Sequence, residues 1–139
     1  MKRHFLDTNV LLYAFDAGAR KRARAQAMIE HALETREGVI SSQVVQEFLN
    51  VATRKFARPM THDEAARYFD EVLEPLCSIW TDADLYRRAL AVRSRFGFSF
   101  YDSLIVAAAQ AADCKTLYSE DLQAGQKLDG LVIVNPFSG

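Results

Sequence analysis

His4-Phe5-Leu6-Asp7-Thr8-Asn9-Val10-Leu11-Leu12-Tyr13-Ala14-Phe15 is the stretch whose reading decides the fold. His4-Phe5-Leu6 is too short and too apolar for anything but a buried strand. It delivers Asp7-Thr8-Asn9 just before a second apolar run, Val10 to Phe15. A carboxylate so placed stands at the C-terminal end of a strand. In open α/β sheets ligands bind in the crevice outside those ends, where connections diverge and helix N-termini point inward. Asp also caps helices well, because its oxygen accepts from orphan N–H groups. Taken alone, Asp7 reads equally as a cap or as a ligand-holding acid.

Working outward, Ala25, Met28, Ile29, Ala32 and Leu33 recur at helical spacing and end before Gly38, which suits a helix C-terminus. Gly38-Val39-Ile40-Ser41 reads as a second buried strand. Ser41 or Ser42 then caps a helix whose Val44, Val45, Phe48, Leu49, Ala52 and Phe56 form one apolar face until Pro59. Thr61-His62-Asp63-Glu64 has capping-box spacing and opens a helix that Pro75 follows. Leu76 to Trp80 is a strand candidate, and Thr81 is placed to cap the next helix, Leu85 to Phe96. A Phe-rich turn leads into Asp102 and a helix apolar nearly all round, Leu104 to Ala112. Lys115 to Tyr118 and Leu131 to Val134 are the last strands, with polar chain from Ser119 to Gly130 between them. Short apolar strands alternating with helices imply an α/β fold, a parallel sheet covered on both faces.

Three further acids fall at comparable places. Glu47 lies at the edge of its helix's apolar fan, at the rim of the core, where a solvated edge residue or an ion pair with Arg54 is the alternative. Asp102 opens the most buried helix, where the dipole also favours a simple cap. Asp121 lies beyond the strand ending at Tyr118, where a turn acid is common. No structural role taken singly predicts that four acids gather at one edge of the sheet. Gathered carboxylates raise one another's pKa unless a cation sits among them. Oxygen ligands without Cys or clustered His select Mg²⁺ or Mn²⁺. Such an ion suits in-line phosphodiester hydrolysis, since it activates water, orients the phosphate and neutralises the leaving oxygen. Thr8, Asn9 and Ser119 would hydrogen-bond the carboxylates from behind, or serve local turns.

The chain has 139 residues, half of them hydrophobic, and a formal net charge of -1. That is enough for a core without metal or disulfide staples, and it gives no global basic field to attract nucleic acid. Cations do cluster locally, at Arg20-Lys21-Arg22-Ala23-Arg24 and at Arg54, Lys55 and Arg58. Cys77 and Cys114 lack metal or redox spacing and read as buried thiols, and His4, His31 and His62 share no ligand register with the acids. No signal-peptide pattern and no apolar run of bilayer length is present, so a cytoplasmic protein without a membrane partner is expected.

Asp7-Thr8-Asn9, Gln46-Glu47-Phe48, Phe100-Tyr101-Asp102-Ser103 and Leu117-Tyr118-Ser119-Glu120-Asp121-Leu122, in this order, resemble the PIN domain, and the closing Val134-Asn135-Pro136-Phe137 extends the likeness over the chain. In size and motif order the chain is similar to VapC-type toxins of bacterial toxin–antitoxin pairs. The resemblance implies one PIN-like domain over residues 1–139, with about five parallel strands between helices. It implies Mg²⁺- or Mn²⁺-dependent endoribonuclease activity, with Asp7, Glu47, Asp102 and Asp121 as the catalytic and metal-holding quartet and Ser119 as its polar companion. Glu120 precedes Asp121, and either could face the metal. A homodimer, a cognate antitoxin and an RNA substrate are implied as partners. Arg20, Lys21, Arg22, Arg24 and Arg54 are candidates for phosphate contacts, whereas Trp80 and the Phe96 to Tyr101 aromatics suit the core or a dimer face better than base stacking.

Two other readings stand beside this one. A phosphatase of the haloacid dehalogenase type needs a second Asp two residues after the first, where this chain has Asn9. A degenerate PIN-like module would bind RNA or protein without cutting it; loss of an acid would mark it, and all four are present.

Overall fold

The computed structural model describes residues 2–138. Its centre is the opening strand. β1 (Arg3–Leu6) lies between β2 (Gly38–Ser41) and β4 (Cys114–Tyr118) in a six-stranded sheet of order β3-β2-β1-β4-β6-β5. β3 (Cys77–Ile79) and β6 (Leu131–Val134) complete five parallel strands, and helices cover both faces in three layers. Phe5, Leu6, Ile40, Leu117 and Ile133 are fully buried, as strands wedged between helical layers require.

The sixth strand, β5 (Lys127–Leu128), runs antiparallel to β6 at the edge. It falls within the stretch expected to be plain polar chain. Two residues with a single buried side chain, Leu128, carry no apolar alternation to reveal them.

Chain order and sheet order diverge at the centre. From β1 the chain builds β2 and β3 to one side, then returns across helices α6 (Ala83–Phe96) and α7 (Phe100–Ala111) to lay β4 on the other side of β1. The C-terminal ends of β1 and β4 therefore flank the point where the winding reverses, the place where α/β sheets open a binding crevice. Leu6 pairs with Tyr118, and the Asp7 N–H donates to the Tyr118 carbonyl at 3.0 Å, which sets Asp7 and Ser119 side by side on leaving the sheet.

The helix boundaries confirm some signals and correct others. Asp7 caps α1 (Thr8–Tyr13), and Thr61 forms the full capping box with Glu64 at the start of α4 (His62–Tyr68). Ser41 is the N-cap residue of α3 (Ser42–Arg54), yet its side chain makes no capping bond. α2 (Ala19–Thr35) ends not at Gly38 but at Arg36, in the left-handed region at φ 60°. Gly38 belongs to β2, and a Cβ there would stand 2.2 Å from the Ala32 Cβ, so close packing of α2 on the sheet demands glycine. Asp82, not Thr81, caps α6 through the Leu85 N–H, while Thr81 shares a hydrogen bond with the Ser42 hydroxyl. Ser99, not Asp102, caps α7. α4 runs on through a π-helical turn at Phe69–Leu73 into α5 (Glu74–Leu76), so Pro75 lies inside the helical run and not beyond it. Both thiols are buried and free, as expected. Among the described residues no helix is long and apolar enough to cross a membrane.

Candidate active site

Asp7 leaves β1 into a buried position, 7% exposed, and both its oxygens are used. Oδ1 accepts the Thr8 N–H at 2.7 Å, and Oδ2 accepts the Ser119 hydroxyl at 2.8 Å. One carboxylate oxygen thus caps α1, as one reading of Asp7 expected, while the other is bound at the end of β4. Ser119, fully buried, also accepts the N–H groups of Asp121 at 3.2 Å and Leu122 at 3.3 Å. One hydroxyl so holds the backbone bearing Asp121 against the carboxylate of Asp7.

Glu47 joins from α3. The residue is exposed at the helix surface, but Oε1 accepts the Thr8 hydroxyl at 2.9 Å, which draws the carboxylate towards the end of β1. Burial pushes the Asp7 carboxyl up to about 6. The Ser119 and Thr8 hydrogen bonds oppose that rise, and the negative charges of Asp121 and Glu47 add to it. Three of the four predicted acids therefore share one electrostatic neighbourhood.

The fourth is placed differently. Asp102 lies in the first turn of α7, half-buried, and its N–H donates to the capping Ser99 hydroxyl at 3.2 Å. α7 is tied to α3 by Gln43, whose Nε2 donates to the Tyr101 carbonyl at 3.2 Å, one turn before Glu47 on the same helix and one residue before Asp102. No hydrogen bond joins Asp102 to the other acids among the described residues, and no three Asp, Glu, His or Cys side chains there form a ready ion cage.

Glu120 and Asp121 part company. Glu120 accepts the Tyr13 hydroxyl at 2.6 Å and pairs with the Lys21 ammonium at 2.8 Å, and these two hydrogen bonds hold its carboxyl below the usual range. The same bond to Glu120 pushes the Tyr13 phenol up to about 12. Asp121 is exposed and acts on Asp7. Of the two neighbours, Asp121 is the one whose charge acts on Asp7.

Buried polar atoms normally find partners, so those without one in the protein are open to an ion, its hydration or ordered water. The Asn9 amide, 9% exposed, has neither its oxygen nor its nitrogen bonded, and the same holds for Gln43 Oε1 and the hydroxyls of Ser41 and Ser103. Asn9 is two residues from Asp7, Gln43 one turn from Glu47, and Ser103 next to Asp102. An oxygen-rich, carboxylate-dominated donor set with spare amide and hydroxyl groups fits a hard divalent ion and its hydration.

The sequence patterns missed Gln43, Tyr13 and Lys21 as partners here. A buried Gln one turn before Glu47 on an apolar helix face was the one signal for Gln43. The Tyr13–Glu120–Lys21 group comes from three separate elements and has no local pattern. Among the predicted phosphate-contact residues, Arg20, Lys21 and Arg24 line a cavity of about 470 Å³ beside Pro136 and Phe137, whereas Arg54 sits in the exposed last turn of α3. Arg22 is exposed on α2.

The fold is shared with solved proteins. A toxin–antitoxin complex from Klebsiella pneumoniae contains a chain 20% identical, at TM-score 0.67, with 96% of this chain and 98% of that one covered. VapC20 of Mycobacterium tuberculosis, a sarcin-ricin loop cleaving toxin, is 20% identical at TM-score 0.60, over 85% and 89% of the two chains. VapBC2 from Rickettsia felis, solved on a DNA fragment from its promoter, gives 18% identity and TM-score 0.63 over 94% and 96%. No curated protein matches the chain in sequence. The family model of the PIN domain matches residues 4–127, from the strand that delivers Asp7 to the edge strand beyond Asp121, and the chain belongs to the PIN domain family.

Proposed function

We propose that the protein is a divalent-metal-dependent endoribonuclease, the toxin of a toxin–antitoxin pair, acting in the cytoplasm as a homodimer with a cognate antitoxin. The observation that carries this reading is the Asp7 carboxylate, buried where the winding of the sheet reverses and charged against Asp121 and Glu47. Uncompensated carboxylates are costly to hold together, and a cation offsets that cost. Asp7, Glu47 and Asp121 would hold Mg²⁺ or Mn²⁺, with Asp102 joining from the first turn of α7. Bound there, the ion supplies activation of water and stabilisation of charge on the phosphodiester.

The chain's own residues do the positioning. Ser119 keeps Asp7 and Asp121 in register, Thr8 turns Glu47 inward, and Gln43 sets the start of α7 against α3. The fold neighbours that are toxin–antitoxin complexes, and the one that cleaves the sarcin-ricin loop, support a nuclease toxin over the phosphatase reading. An unpaired RNA loop is the expected substrate form, because its phosphodiesters are accessible.

The test is to express the chain in bacteria beside its Asp7→Asn form and to assay both purified proteins on total RNA with Mg²⁺, Mn²⁺ or EDTA. Growth arrest and metal-dependent cleavage by the parent alone is the expected result. Equal cleavage by both, or cleavage that survives EDTA, overturns the mechanism. Toxicity without cleavage points instead to a binding module.

A further inference from the structure

We propose that the flank of α2 is a path for a single-stranded RNA segment running away from the acidic centre, a deepening that rests on the nuclease reading above. Two cavities adjoin along this helix and share Arg24. The upper, about 470 Å³, is walled by Arg20, Lys21 and Arg24 on one side and Pro136-Phe137 on the other. The lower, about 400 Å³, is lined by Arg24, Met28 and His31 from α2 and by His4 and Tyr118 from the sheet.

The path begins at the centre. Lys21 pairs with Glu120, the residue next to Asp121, so the upper cavity opens one residue from an acid that acts on Asp7. From Arg20 to His31 the helix then advances about 16 Å, room for a few nucleotides.

Its chemistry alternates cation and ring. Arg24 spends its Nε on the Pro136 carbonyl at 3.4 Å, and no carboxylate among the described residues pairs with it. Lys21 lies 4.8 Å from the centroid of the Tyr13 ring and 5.8 Å from that of Phe137. Below them the exposed His31 stacks on His4 at 6.1 Å, and Tyr118 meets His4 edge-on at 5.6 Å. Cations track a sugar-phosphate backbone while flat rings receive unpaired bases, the combination that single-stranded nucleic acid uses. A duplex would keep its bases stacked inside and gain nothing from the rings.

The test measures binding of a fluorescent single-stranded RNA oligonucleotide to the whole protein by anisotropy in EDTA, where a metal nuclease does not cut. Arg24→Gln should weaken binding several-fold and lower the slope of log affinity against log salt by about 0.7 for each phosphate left unneutralised. His31→Ala should weaken it about fivefold or more with the slope unchanged, as removal of one stacked base predicts. Arg88→Gln, on the exposed face of α6, should change neither, and a duplex of the same sequence should be insensitive to His31→Ala. Circular dichroism confirms that the variants fold. Unchanged affinity in both α2 variants overturns the path even if the parent cleaves RNA with metal. The expected variant effects without cleavage keep the path and refute the nuclease. Should Arg24→Gln release a co-expressed antitoxin but leave RNA binding intact, the groove is a protein site and the proposal fails.

Discussion

The Ser119 hydroxyl and the Asp7 carboxylate, 112 residues apart in sequence, meet at 2.8 Å because their strands leave the sheet side by side. Ser119→Ala removes that bond together with the acceptor for the Asp121 and Leu122 N–H groups. Loss of about 1–3 kcal/mol is expected in urea unfolding, since buried groups are left unsatisfied. The Asp7 carboxyl should rise further in the metal-free protein, so that the fall of stability with pH in EDTA moves to higher pH. Ser119→Thr, which keeps the hydroxyl, should restore the parent's profile.

Asp7 itself gives a pH signature. Its folded-state pKa of about 6 lies above the ordinary 3.8, so the folded state binds more protons than the unfolded one between those values. Stability in EDTA should therefore fall as pH rises from about 4 to about 6, by up to about 3 kcal/mol. Asp7→Asn keeps a capping oxygen and removes the charge. Its melting temperature should lack this fall and exceed the parent's at pH 7, with cleavage abolished. A clear drop in its melting temperature would mean that the carboxylate serves chiefly as a helix cap.

Adjacent acids should separate cleanly. Asp121→Asn is expected to reduce RNA cleavage by two orders of magnitude or more, while Glu120→Gln leaves most of it. Glu120→Gln should also lower the tyrosinate titration of Tyr13 from about 12, because the hydrogen bond that raises it loses its charge. Ultraviolet absorbance against pH reads this directly. Equal loss of activity in the two variants would reject the assignment of Asp121.

Gly38→Ala tests packing far from the chemistry. A methyl group 2.2 Å from the Ala32 Cβ must push α2 away from β2, at about 1–3 kcal/mol in denaturant unfolding. No left-handed backbone is involved at this position, so the loss isolates steric overlap.

The sheet was legible because its strands are short apolar runs closed by turn residues, and Asp7 because a strand end followed by a helix start leaves few other meanings. Glu47 and Asp121 could be named as acids at element edges, yet Asp121 comes near Asp7 because β4 lies beside β1, and Glu47 because α3 follows β2 on the other side, pairings no local pattern encodes. Asp102 shows the limit most clearly. Its helix position was evident, but whether its carboxylate reaches the others is decided by how α7 packs on β2 and α3, and there Gln43 is the visible tie. Thr81 and Gly38 misled for a common reason: each residue type suits a helix end, and in both cases a neighbour, Asp82 or Arg36, took that role. The Tyr13–Glu120–Lys21 group was out of reach, being assembled from α1, α2 and the loop after β4.

The pairing of β1 with β4 also sets how late in synthesis the acids can gather. While a ribosome is still making the chain, Asp7 and Glu47 emerge early, but Ser119 and Asp121 follow only after β4 has been made. A product cut short of that strand lacks both the hydroxyl that binds Asp7 and the acid held beside it, however well its first half folds.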